Sequence, residues 1–135
     1  MNLDQFLRQA RDPRFHCRDH VEEPGFSTMY VRFGRRYVRG ELFHDTLDLA
    51  NIEVFHPGNG TFKKLIARLR EQYPHIHLFV ERVLSPRFRY GLLKMGFEYV
   101  GPSYYSPCFF MQAAKKKGEI EPEKIESVLG SATES

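Results

Sequence analysis

The run Asn51-Ile52-Glu53-Val54-Phe55-His56-Pro57-Gly58-Asn59-Gly60-Thr61 decides how the chain folds. It reads as a strand, then a short glycine-rich turn, then a helix start. Such a turn leaves backbone N–H groups uncovered at the positive end of a helix, where phosphates and pyrophosphates bind. Read alone, Gly58-Asn59-Gly60-Thr61 fits either a pyrophosphate cradle or a plain tight turn.

Beyond the turn the period changes. Phe62, Leu65, Ile66, Leu69 and Tyr73 fall at i, i+3, i+4, i+7 and i+11, one apolar stripe of a helix that Pro74 stops. Lys63, Lys64 and Arg68 lie off the stripe, placed either for phosphates or for solvent. His75 to Leu84 predicts a buried strand, parallel to the first because a helix joins them. Ser85-Pro86 is a helix start, with Phe88, Leu92 and Met95 on the buried face and Gly96 at the end. Phe97 to Gly101 and Tyr104 to Gln112 read as closing strands.

Working back from Asn51, Phe26 to Phe33 alternates, Gly34-Arg35 predicts a hairpin turn, and Arg36 to Phe43 returns as a second strand. Asp45 punctuates, and Thr46 to Phe55 is a third strand. Leu3 to Arg11 predicts a short helix, and Arg14 to Gly25 reads as irregular. The expected division is an N-terminal segment over 1–25, one domain over 26–112, and a charged tail over 113–135, either solvated or a docking arm.

The 135 residues are one domain's worth, and 41% hydrophobic and 14% aromatic content supports a real core. A net charge of +3 is too weak to argue for nucleic acid alone. Cys17 and Cys108 fit no metal spacing, which points to reduced thiols in a cytoplasmic protein. No apolar run approaches the ~20 residues of a membrane span, and the first residues lack the apolar core of a signal peptide. His75 and His77 are the one close histidine pair, so no metal is expected.

The order of elements resembles the GNAT superfamily of N-acetyltransferases over about residues 26 to 112. Members carry Val-His-Pro-Glu-x-Arg-Gly-x-Gly-x-Gly where this chain has Phe55-His56-Pro57-Gly58-Asn59-Gly60-Thr61-Phe62, three residues shorter and without the arginine. They carry Asn-x-x-Ala-x-x-x-Tyr-x-x-x-Gly-Phe where this chain runs ungapped from Ser85 to Phe97, with Phe88 at the alanine, Leu92 at the tyrosine and Gly96-Phe97 at the end. The resemblance implies an α/β (α+β) fold with a mixed, splayed central sheet flanked by helices. It implies acetyl-coenzyme A as co-substrate, met by Phe55, His56, Gly58, Asn59, Gly60, Thr61, Phe62 and Ser85. Phe62 stands for a small residue, so its ring must point away or fill the space.

The implied activity is transfer of the acyl group to an amine of a small molecule or a protein. Glu53 is the candidate base, or simply a solvated strand residue. Leu92 cannot act as the family's acid, which leaves Tyr90 and Tyr105 as substitutes. The alternative is a GNAT-like scaffold without chemistry, such as a phage assembly protein, virion-associated and held to a protein partner through the tail. A third reading takes Arg32, Arg35, Arg36 and Arg39, with Tyr30 and Tyr37 between them, as a nucleic-acid or acidic-acceptor ribbon rather than a charged edge.

Overall fold

A computed structural model describes residues 1–11, 17–102 and 107–114. In chain order the elements are α1 (Leu3–Ala10), β1 (Arg18–His20), β2 (Phe26–Val38), β3 (Glu41–Val54), α2 (Thr61–Gln72), β4 (His77–Val80), α3 (Pro86–Met95), β5 (Glu98–Pro102) and β6 (Pro107–Met111). The strands form one sheet in the order β1-β2-β3-β4-β6-β5. β3 and β4 are parallel and every other neighbouring pair is antiparallel. The fold is α/β (α+β), with a six-stranded mixed sheet and three helices among the described residues. No helix among them is long and apolar enough to cross a membrane.

Local chemistry fixes the helix ends. Asn2 Oδ1 accepts the Gln5 N–H at 2.9 Å while Gln5 Oε1 accepts the Asn2 N–H at 2.8 Å, a reciprocal cap on α1. Ser85 Oγ accepts the Phe88 N–H at 3.3 Å, and Gly96 ends α3 in the left-handed region. Gly60 precedes α2 at φ 74° and brings no side-chain cap.

Apolar residues from all three helices share one cluster with Met29, Val31, Leu47, Leu49, Leu78, Val80 and Phe109 of the sheet. α1 belongs to that cluster through Leu3, Phe6 and Leu7, so the first residues are built into the same core. Arg68 of α2 holds it in place. Its guanidinium meets Asp4 at 3.0 Å and pairs closely with Glu23, while Tyr73 donates to Asp4 at 2.7 Å.

The hairpin differs from the sequence reading. Gly34-Arg35 is not a turn, because β2 runs through it to Val38. The turn is Arg39-Gly40, at φ 53° and 81°, and β3 is one strand from Glu41 to Val54. Gly34 pairs with Thr46 and Arg36 with Phe43, so His44 and Asp45 stand against Arg35 alone. This is a bulge, with Asp45 at φ 50°, and a bulge bends a strand pair. The outer half of the hairpin thereby packs on the sheet face away from the helices. Val38 clusters with Phe79, Cys108 and Phe110, and the Phe43 ring lies 4.8 Å from that of Phe110. Arg39 reaches Glu98 at 2.9 Å and the Tyr99 carbonyl at 3.0 Å.

Other boundaries also move. β1 lies in the stretch read as irregular, and β4 is shorter than the expected 75–84. The expected strand from Tyr104 begins outside the described residues, as does the tail from Lys115.

Gly25 joins this frame to α2. It sits at φ 88°, and a Cβ there would lie 2.7 Å from Thr61 Cγ2. Gly25→Ala is expected to cost about 1–3 kcal/mol in urea unfolding. Adding Thr61→Ser, which removes that methyl, should return part of the loss. An unchanged midpoint in Gly25→Ala would contradict this packing.

Candidate functional site

Parallel pairing holds Thr46–Leu49 against His77–Val80 and then stops. The Glu81 N–H still reaches the Leu49 carbonyl at 3.2 Å, and beyond it the chain leads away to α3. β3 runs on to Val54 without a β4 partner. A second bulge marks the parting: Tyr30 pairs with Asn51 and Val31 with Leu49, leaving Ala50 extra. The wedge so formed is roofed by the starts of α2 and α3.

A cavity of about 550 Å³ fills the wedge. Ile52, Val54, Phe62, Phe88 and Met95 supply apolar walls, and His56, Gly58, Gly60, Thr61, Lys63, Ser85 and Arg87 surround them. Phe62 is buried in the helix-side core with its ring edge-on to Phe88 at 5.0 Å. It makes a wall and leaves the slot open.

The electrostatics follow from the turn. Among the described residues, no acceptor meets the N–H groups of Gly58, Gly60, Thr61, Phe62 or Lys63. Neither α2 nor α3 carries an acidic residue in its first turn, so nothing offsets the positive helix ends. Lys63 adds a cation, and Arg87 Nη2 lies 3.6 Å from where a Cβ on Gly58 would stand. Glu53 is the one carboxylate in the lining. Apolar walls under a positive rim suit an elongated ligand with an anionic head.

Searches of protein-family models, curated proteins and solved structures return no match to this chain.

The wedge gathers Glu53, His56, Gly58, Gly60, Thr61, Phe62 and Ser85 from the expected site. Phe55 is 62% exposed and outside the lining, as is Asn59. Tyr90 is 63% exposed on the outer side of α3, with Lys94 Nζ 5.2 Å from its ring centre. Tyr105 lies outside the described residues. Leu92 is fully buried. Arg87, Phe88, Gly91 and Met95 were missed as site residues. Their spacing along α3, one to four residues apart and close to Ser85, was the available signal.

Below the parting, on the opposite face, lies a half-buried ionic cluster. Asp48 Oδ2 meets Arg36 at 3.0 Å and Arg32 at 3.3 Å, and Glu81 Oε2 meets Arg32 at 2.5 Å and Arg36 at 3.4 Å. The Arg36 guanidinium also stacks 3.8 Å from the Phe79 ring centre. Burial pushes Asp48 up to about 8, helped by the hydrogen bond and charge of Glu81 against the pull of Arg36 and Arg32. Burial also raises Glu81. The hydrogen bond to Asp48 and both arginines outweigh it, so Glu81 lies below its ordinary value. At neutral pH the pair therefore shares one proton. His77, at the other end of β4, accepts the Ala113 N–H at Nδ1 (2.9 Å), and burial lowers its pKa.

The sign of the pH dependence is fixed by Asp48. Its folded pKa is raised, so the folded state binds the proton more tightly than the unfolded chain. Stability contributed by that proton falls as pH rises from the ordinary carboxylate range to about 8. Glu81 acts in the opposite sense, but only below its ordinary pKa of 4.5. Urea midpoints should fall between about pH 5 and 8 in the wild type. They should stay level in Asp48→Asn, whose amide keeps a hydrogen bond without a titrating proton. Parallel profiles for the two proteins would contradict the assignment.

Proposed function

We propose that the chain is a GNAT-like N-acetyltransferase that binds acetyl-coenzyme A in the wedge between β3 and β4. The observation that carries this reading is the open cavity, with unpaired amides at one end and apolar walls leading to the strand parting. The element order supports it as well: an antiparallel meander, a parallel pair joined by a helix, and a second helix before two closing strands.

Phosphates of the donor would meet the amides from Gly58 to Lys63, with Lys63 and Arg87 supplying the charge that the missing motif arginine would give. The pantetheine arm would run over Ile52, Val54 and Phe88. The amine nitrogen attacks the thioester carbonyl carbon, the carbon–sulfur bond breaks, and the sulfur keeps the electron pair. Glu53 or water takes the ammonium or amine proton. The free edge of β3 offers N–H groups to the developing oxyanion. No tyrosine lines the cavity among the described residues, and water would protonate the departing thiolate.

One observation favours a second reading, a scaffold that binds the donor without transferring it. Leu92 fills the position of the family's acid and is fully buried in the core.

Isothermal titration of acetyl-coenzyme A should give a Kd on the order of micromolar. Lys63→Glu should weaken it at least about tenfold and leave thermal stability equal or higher, because a carboxylate in the first turn favours α2. No heat at millimolar ligand would remove the proposal. Thiol release in the presence of amines, slowed in Glu53→Gln with donor affinity kept, supports transfer. Donor binding without thiol release from any amine supports the scaffold.

A further inference from the structure

The elbow of the β2–β3 hairpin holds a second hollow, of about 430 Å³, lined by four arginines, Arg18, Arg32, Arg35 and Arg36, and by one carboxyl, Asp48. Arg18 and Arg32 are directly opposite across β1 and β2. Like charges so placed destabilise a strand pair unless a negative group lies over them.

The charges do not balance among the described residues. Arg32 and Arg36 pair with Asp48 and Glu81, which share one proton at neutral pH and so carry a single negative charge. Arg18 and Arg35 are exposed and meet no carboxylate among the described residues. Arg32 Nε is buried without a hydrogen-bond acceptor, and Asp48 Oδ1 beside it without a donor. An adjoining hollow of about 490 Å³ shares Arg35 and Arg36 and adds Tyr37, a residue 71% exposed. Thus two hollows share Arg35 and Arg36, and Tyr37 lines the second of them.

We propose that this elbow binds the phosphate backbone of single-stranded nucleic acid, with Arg18 and Arg35 on the phosphates and Tyr37 as a stacking surface. Guanidinium forks match phosphate oxygens, and every base has a face to stack, so the site reads backbone and not sequence. It uses residues separate from the donor wedge and holds whether or not acetyl transfer occurs.

The test is fluorescence anisotropy of a labelled oligothymidylate with the full chain, between about 50 and 200 mM salt. Affinity should fall with salt at a log–log slope near −0.7 for each phosphate held, so about −1.4 for two. The double variant Arg18→Ser/Arg35→Ser should lose at least about tenfold in affinity and most of that slope, with its thermal midpoint kept or raised, since Arg32 loses a like charge opposite it. Tyr37→Ala should weaken binding at unchanged slope, and Lys63→Glu should leave it unaltered. Absent binding, binding indifferent to the double variant, or binding lost equally in Lys63→Glu would overturn the proposal. Inorganic pyrophosphate bound at the elbow as tightly as the oligonucleotide would also overturn it, by reducing the site to one for a free phosphate group.

Discussion

The short parallel pairing of β3 with β4 is the constraint on which the rest of the molecule depends. It spans Thr46–Leu49 and His77–Val80 and no more. Extending it by a few residues would close the wedge and leave no room for the cavity beneath α2 and α3. The extra residue Ala50 in β3 and the positive φ of Arg82 (58°) stand on either side of the parting. A strand that loses its partner while still at the centre of a sheet exposes backbone groups that need hydrogen bonds. Here those groups face a cavity, which is why the parting reads as a place for a ligand.

The second face explains how such a sheet stays closed with the described helices on one side only. Elsewhere a layer of helices commonly covers each face. Here a bulge at Asp45 lets the hairpin bend, and Val38 and Phe43 cover Phe79, Cys108 and Phe110. Arg36 lies at the bend, stacked on Phe79 and paired to two carboxylates. Burying such a cluster has a desolvation cost, and keeping one proton between Asp48 and Glu81 lessens it. The cluster is therefore a latch for the bend rather than a simple source of stability.

Much of this was legible in the chain. The stripe from Phe62 to Tyr73, the Ser85-Pro86 start and the Gly96 stop are local signals, and each marks an element boundary within a residue or two of where it occurs. Asn51 to Thr61 is a strand, a glycine turn and a helix start as read. The hairpin was misread because Gly34-Arg35 has turn chemistry, and a bulge is visible only once His44 and Asp45 are known to stand opposite. β1 was missed because three exposed residues leave no apolar alternation. Arg87 lay off the buried stripe of α3, and the Asp48–Glu81 pair joins residues distant in sequence. The Asp48–Glu81 contact arises from topology and has no local pattern to betray it.

The most direct measurement is a two-dimensional amide NMR titration of the full chain with acetyl-coenzyme A. The Gly58, Gly60, Thr61, Phe62 and Lys63 amides should shift progressively and saturate together, as unpaired donors acquire phosphate acceptors. Unmoved amides at those five positions, or shifts confined to the arginine elbow, would contradict the wedge as a donor site.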